Sequence, residues 1–344
     1  MILTRRTLLE SLSIAGIAAA TGTLVPARTA HAGAKAGHEQ DWNWLLGNWN
    51  VYHERLRDRL VGSTTWDKFA GKSNFWHVLG GLGNVDDDLL ELPTGTYRAI
   101  SVRTFDPASG KWSIWWLDGR TAGKLDAPVV GGFTGDEGEF FGDDVHKGTP
   151  VTVRFRWHET HSKRPWWDQA LSTDHGKTWE VNWRNYFTRT SLTPSPIPWD
   201  EAPPAANDWK FLVGKWRVHN RRRKPDGTWE EFASTLENRP VMGGLGNVGD
   251  NVFHAPSGDY RGVSVRAFDT SKKTWNSWWI DGRTPSTIAP GVAGGFENGV
   301  GTLIGDGVRS LWTKTDTATP HWEQATSTDG RNWNTNWVAD FVRA

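Results

Sequence analysis

Two stretches of this sequence place an aromatic ring, a carboxylate and a guanidinium at alternate positions, a set of residue types that can hold a small polar molecule. They are Ile114-Trp115-Trp116-Leu117-Asp118-Gly119-Arg120-Thr121 and Ser277-Trp278-Trp279-Ile280-Asp281-Gly282-Arg283-Thr284, 163 residues apart. On an extended chain successive side chains point to opposite faces. Trp116, Asp118 and Arg120 then share one face, with Trp115 and Leu117 on the other; Trp279, Asp281 and Arg283 repeat this against Trp278 and Ile280. In a pocket the ring would stack on a ligand and the Arg fork would hold a planar anion or carbonyl, oriented by the Asp. The same residues also suit a plainer role, an Asp–Arg pair bracing the turn at the glycine with the Trp as core.

A second arginine pair, Arg103 and Arg266, sits mid-strand in Ser-Val-Arg-x-Phe-Asp. An inward arginine there needs an acidic or ligand partner. Asp168 with Gln169, and Glu323 with Gln324, occupy matching positions and could supply it; turned outward, all of these would form a solvated ladder, since register decides the face. The candidate ligand-binding set is therefore Trp116, Asp118, Arg120, Arg103 and Gln169, with Trp279, Asp281, Arg283, Arg266 and Gln324 in the second copy. No catalytic residue, metal or cofactor is assigned. His158-Glu159-Thr160-His161 lacks the H-E-x-x-H spacing and reads as a surface loop. Gly81-Leu82-Gly83 and Gly244-Leu245-Gly246 have no third spaced glycine and no helix behind them, so they are not dinucleotide loops. There is no Gly-x-Ser-x-Gly and no Walker pattern, and a chain without Cys has no thiolate chemistry.

The elements that must position these residues are two copies of one unit. Asp41-Trp42-Asn43-Trp44-Leu45-Leu46-Gly47-Asn48-Trp49 matches Asp208-Trp209-Lys210-Phe211-Leu212-Val213-Gly214-Lys215-Trp216, and Leu79 to Val85 matches Met242 to Val248. Period-two alternation and frequent turn signals predict roughly ten short strands per copy and no helical periodicity. Such sheets close on themselves to remove their edges. The expected architecture is all-β, two tandem antiparallel barrels over 41–190 and 208–344, joined by a proline-rich linker over 191–207. Residues 1–32 read as a signal peptide, with Arg5-Arg6 ahead of the apolar run Leu12 to Val25 and Ala30-His31-Ala32 for cleavage, hence twin-arginine export to the periplasm or outside. Lys plus Arg and Asp plus Glu are 39 each, so nothing points to nucleic acid, and no membrane association is expected once the signal is removed.

The Phe/Trp-Leu-x-Gly-x-Trp opening followed by a meander resembles the calycin class, the lipocalin and nitrobindin-like barrels. The resemblance implies that Gly47 with Trp49, and Gly214 with Trp216, pack across a closed end. Nitrobindin-like barrels bind haem through a histidine, but His175 and His321 each lack a counterpart in the other copy. The tandem arrangement also resembles two-barrel lipocalin-like hydratases and cyclases. Ser172-Thr173-Asp174-His175-Gly176-Lys177-Thr178-Trp179 resembles the Asp-box of sialidase-like proteins, which implies a hairpin turn and not a glycosidase; Ser327 to Trp333 is a shorter copy. Together these point to an exported protein that binds a small, partly apolar ligand carrying a polar or anionic group. The alternatives are a hydratase- or cyclase-type enzyme using Asp118 or Asp281 as acid/base, and a glycan module using surface Trp166, Trp167 or Trp199.

Overall fold

The computed structural model describes residues 38–198 and 203–344. Residues 1–32, expected as a signal peptide, and Trp199 lie outside the described residues. The first barrel is built from β1 (Gly47–Leu56), β2 (Trp66–Val78), β3 (Gly83–Leu92), β4 (Gly95–Asp106), β5 (Lys111–Asp118), β6 (Val129–Thr134), β7 (Glu137–His146), β8 (Thr149–His158), β9 (Trp166–Ser172) and β10 (Glu180–Ser191). The second is built from β11 (Gly214–Arg223), β12 (Trp229–Val241), β13 (Gly246–Ala255), β14 (Gly258–Asp269), β15 (Thr274–Asp281), β16 (Val292–Glu297), β17 (Val300–Gly305), β18 (Val308–Thr313), β19 (His321–Thr326) and β20 (Asn334–Arg343). In each, consecutive strands pair antiparallel and the last returns to the first, so both barrels close. Closure removes the exposed edges that an open sheet would carry.

One end of each barrel is shut by tryptophan. A short 3-10 turn leads into Gly47, and Trp49 on β1 donates its indole N–H to the carbonyl of Leu45 (2.7 Å). Arg189 from β10 lies over the Trp49 ring (4.0 Å) and donates to the carbonyls of Trp44 and Leu46. Trp216 and Arg343 repeat the arrangement, with Trp216 donating to Leu212 (2.8 Å) and Arg343 stacked at 3.9 Å. Inside that end Trp42 packs among Trp112, Phe133, Phe140 and Trp157, and Trp209 among Trp275, Phe296 and Trp312.

The sequence pattern does not mark β3, because Asp86-Asp87-Asp88 stands in its middle and Asp is depleted in strands. Tertiary structure gives each of these carboxylates a place. Before β3, Leu79, Gly80 and Gly81 form a tight turn with φ of 55°, 68° and 100°, matched by Met242, Gly243 and Gly244. These two turns plug each barrel into the other. Leu79 and Met242 are buried with the outward faces of β3–β5 and β13–β15, including Val85, Ile100, Val102 and Leu117 against Val248, Val263, Val265 and Ile280.

A reciprocal pair of carboxylates locks this seam. Asp87 accepts the backbone N–H of Met242 (2.9 Å), and Asp250 accepts that of Leu79 (3.2 Å). Each also meets an arginine of its own barrel, Arg98 for Asp87 (2.5 Å) and Arg261 for Asp250 (3.2 Å). Burial pushes Asp87 up to about 6; Arg98 and the Met242 N–H offset only part of that desolvation.

The two pairs differ in burial, with the Arg98 side chain 3% exposed and that of Arg261 38%. Asp87→Ala strands a buried guanidinium and is expected to cost about 3–5 kcal/mol. Asp250→Ala, beside a half-exposed arginine, should cost about 1 kcal/mol. Urea denaturation of the two variants against the parent checks the ranking, and equal losses would contradict it.

Candidate binding sites in the barrel lumens

Alternation on β3, β4 and β5 turns Asp86, Asp88, Ser101, Arg103, Ile114 and Trp116 into the first lumen, where they line a cavity of ≈310 Å³. Arg103 is deep and buried. Its guanidinium pairs with Asp86 (2.7 Å) and donates to Asn84 Oδ1 (3.0 Å), with the Trp42 ring 4.8 Å and the Phe75 ring 5.5 Å away. Asp86 also accepts the backbone N–H of Ser101, and Asp88 accepts the Ser73 hydroxyl. Burial first, and then the Asp86 carboxylate, push Asp88 well above the usual carboxylate range. One lumen thus holds an ion pair and a carboxyl group that resists ionisation.

His53 on β1 completes the first lumen. Its ring stacks on Phe69 (4.6 Å), and its Nδ1 meets Asn185 Oδ1 at 2.7 Å. Gln169 on β9 also faces in and donates to Asn182 (2.8 Å), while Trp116 meets Trp183 edge-on at 6.2 Å.

Asp118 and Arg120 stand at the mouth in the bracing role. Asp118 accepts the backbone N–H of Arg120 (2.9 Å) and a forked pair of bonds from its guanidinium (2.9 and 2.5 Å). Arg120 in turn lies over the Tyr97 ring at 3.8 Å. Asp281, Arg283 and Tyr260 do the same at the second mouth, with Asp281 accepting from Arg283 (2.9 and 2.5 Å) and the guanidinium 4.0 Å from the ring. These carboxylates are committed to their arginines.

Expected partners for the deep arginine are displaced by one strand position. Gln169 and Gln324 point into the lumens, so their neighbours Asp168 and Glu323 point out. Asp168 bonds His158 (2.7 Å), and Glu323 bonds His321 (3.2 Å). Neither pairs with Arg103 or Arg266; Asp86 takes that role in the first barrel. Asp86, Asp88 and His53 were not singled out by sequence reading, although the alternation Asn84, Asp86, Asp88 along one strand face carried the signal.

The second lumen keeps the plan and loses the acids. Arg266, Trp279, Gln324 and Trp337 line a cavity of ≈250 Å³ with more apolar walls. At the positions of His53, Ser73, Phe75, Asp86 and Asp88 it carries Asn220, Leu236, Asn238, Gly249 and Asn251. Burial pushes Arg266 down to about 9.

Outside the lumens the other motifs resolve into structure. Asp174 accepts the backbone N–H groups of Thr178 (2.9 Å) and Lys177 (3.0 Å), and the Thr178 contact leads in holding it below the usual carboxylate range. Asp329 does the same with Asn332 and Arg331 (2.8 Å each). His175 lies in the first of these turns, and His321 sits on the outward face of β19 between Asp340 and Glu323. Trp167 is buried. Trp166 belongs to an outer ladder in which its ring stacks on His158 (3.8 Å) and Tyr186 (6.1 Å), with Tyr52 tilted against Tyr186 at 6.2 Å and both tyrosines exposed.

No family model matches the chain, and no curated protein matches its sequence. Among solved structures it is similar to a DUF3598-family protein of unknown function from Nostoc punctiforme, at 13% identity over 90% of this chain and 99% of that one, with a TM-score of 0.23. It is similar to a double mutant of transferrin binding protein B from Haemophilus parasuis, at 7% identity over 86% and 75%, with a TM-score of 0.20. It is also similar to kievitone hydratase from Nectria haematococca, at 9% identity over 89% and 91%, with a TM-score of 0.16. Likenesses at these scores carry nothing about site or activity.

His53 makes the first barrel sensitive to acid. Burial lowers it from 6.5 to about 4, so between those values the unfolded chain binds a proton that the folded chain does not. Its contribution is complete above pH 6.5 and is lost as pH falls toward 4, by about 3 kcal/mol in all. His53→Asn, which installs the second barrel's residue, should flatten that part of the stability curve. Urea midpoints of parent and variant at neutral pH and near the lower limit check this; parallel curves would contradict it.

Proposed function

We propose that this is an exported, calycin-like tandem-barrel protein that binds a small, partly apolar ligand carrying a polar or anionic group. One observation carries the reading: each lumen fixes a buried arginine deep in an aromatic-walled cavity that opens at the end away from the tryptophan closure. The first cavity, at ≈310 Å³, sits at the small end of ligand sites, whose volumes start at about 300 Å³, and the second, at ≈250 Å³, falls just below. Rings supply stacking and apolar burial, and the guanidinium supplies orientation. The calycin-like assignment draws its support from Trp49 and Trp216 packing across one end of their barrels, as that resemblance implies. Export draws its support from the Arg5-Arg6 leader.

A second reading has its own observation. Asp86 and Asp88 are two carboxyl groups in one lumen, the first ion-paired with Arg103 at 2.7 Å and the second driven by burial toward its neutral form. That division is what acid/base chemistry requires. It belongs to the first barrel alone and replaces Asp118, which is tied to Arg120.

Native mass spectrometry of the protein recovered from its own host's exported fraction tests the first reading. The expected result is a chain beginning after Ala32 with one or two small-molecule masses retained. A bare mass that stays bare after incubation with candidate acids would overturn ligand binding. Under the second reading Asp88→Asn retains the bound mass but no longer converts it, and conversion that survives the substitution would remove Asp88 from the chemistry.

A further inference from the structure

The two lumens share one plan, and the difference between them identifies a ligand group. In the first, Arg103 meets a carboxylate of the protein, Asp86, at 2.7 Å. In the second, Gly249 stands at the place of Asp86 and Asn251 at that of Asp88, while the arginine remains. Arg266 is only 8% exposed. Among the described residues its hydrogen bonds run through Nη1 alone, to Asn247 Oδ1 (2.9 Å) and Ser264 Oγ (3.2 Å), and no carboxylate forms an ion pair with it. Its guanidinium lies 4.5 Å from the Trp209 ring and 5.6 Å from that of Trp312, contacts that soften but do not neutralise a buried charge.

A second group beside it is also unsatisfied. Asn238 occupies the position of Phe75, whose ring lies 5.5 Å from Arg103 in the first barrel. It is 1% exposed, and both atoms of its amide lack a hydrogen-bond partner among the described residues. A buried amide without partners is as costly as a buried charge without a counter-ion is unusual. A Cβ placed on Gly249 would lie 2.7 Å from Ser264 Oγ, which Arg266 bonds, and 3.1 Å from Asn238 Oδ1, so the unpartnered amide sits in the wall beside the arginine's own partner.

Building on the reading of the lumens as ligand sites, we propose that the second lumen receives a small aromatic carboxylate, whose carboxylate takes at Arg266 the place that Asp86 takes at Arg103. The ring of such a ligand would lie among Phe253, Trp279, Trp322 and Trp337, which line the ≈250 Å³ cavity. The free Nε and Nη2 of Arg266 offer a planar fork to a planar anion. The lining carries one guanidinium, no lysine and, at the β17–β18 turn, the Asp306 carboxylate, which match a single negative charge at Arg266 better than a doubly charged phosphate. The first barrel carries its own carboxylate at this place, so the anion site belongs to the second barrel.

Calorimetric titration of the full chain with 1-naphthaleneacetate and with its uncharged counterpart 1-naphthaleneacetamide tests the proposal. The acid should bind about tenfold or more tightly than the amide. Arg266→Gln should bring the acid down to the level of the amide and leave the amide unchanged. If that variant fails to fold, the pair Gly249→Asp with Leu236→Ser decides: it installs the internal carboxylate and clears the Leu236 side chain from its path, and it should abolish acid binding while the amide still binds. Equal binding of acid and amide, or acid binding that survives these substitutions, would overturn the anion site and leave the lumens as ligand sites. Failure of both probes to bind, with no retained mass in the recovered protein, would instead sink the ligand-binding reading itself.

Discussion

Strands β3–β5 and β13–β15 are covered on both faces. One face lines a lumen; the other carries Val85, Ile100, Val102 and Leu117, or Val248, Val263, Val265 and Ile280. A single barrel would leave that outward face wet, so the second copy covers it and is covered by it. Burial on both sides is what fixes these strands, and Asp86, Arg103 and Trp116, with Arg266 and Trp279, project from them into the lumens. The seam is therefore part of the site's scaffold. It is also where buried charge is best balanced, with each carboxylate satisfied by an arginine from its own barrel and a backbone N–H from the other.

Inside the lumens the same requirement is met in two ways. A guanidinium among tryptophans must find a counter-charge, and the first barrel supplies one from the neighbouring strand. The second barrel replaces that residue with glycine and leaves the arginine with neutral partners. The outer contacts of the two copies stay matched, Leu79 with Met242 and Asp87 with Asp250, while their interiors differ at many lumen positions, Asp86 and Asp88 among them. Packing between the barrels constrains the seam, since each residue there serves both halves. A lumen residue answers only to its own cavity, so the interiors are free to acquire separate chemistry.

The mouths show how a motif can be conspicuous in sequence and modest in role. Trp116 and Asp118 do share a face and line the lumen, whereas Arg120 falls in the 3-10 turn beyond the strand. Yet Asp118 folds onto the backbone and side chain of Arg120, and Arg120 onto Tyr97. Local pairing two residues apart forms more readily than a distant one because little chain entropy is lost in making it. The polar groups of greatest consequence are instead those brought together from β2, β3 and β4, where Ser73, Asp86, Asp88 and Arg103 meet.

The sequence by itself determined the duplication, the all-β class and the closure into two barrels, because alternation and turn residues are local properties that repeat. It also determined the Asp-box hairpins, whose bonds span only a few residues. The inward direction of Arg103, the partner it takes, and the presence of β3 as a strand were decided by tertiary structure. Register across strands places Asp86 rather than Asp168 beside Arg103, and a shift of one residue would have reversed every face. Three consecutive aspartates read as a loop until each is given its setting: Asp86 at an arginine, Asp87 at the other barrel, Asp88 at a serine. Those settings are contacts between residues far apart in the chain, and spacing along one segment contains no record of them.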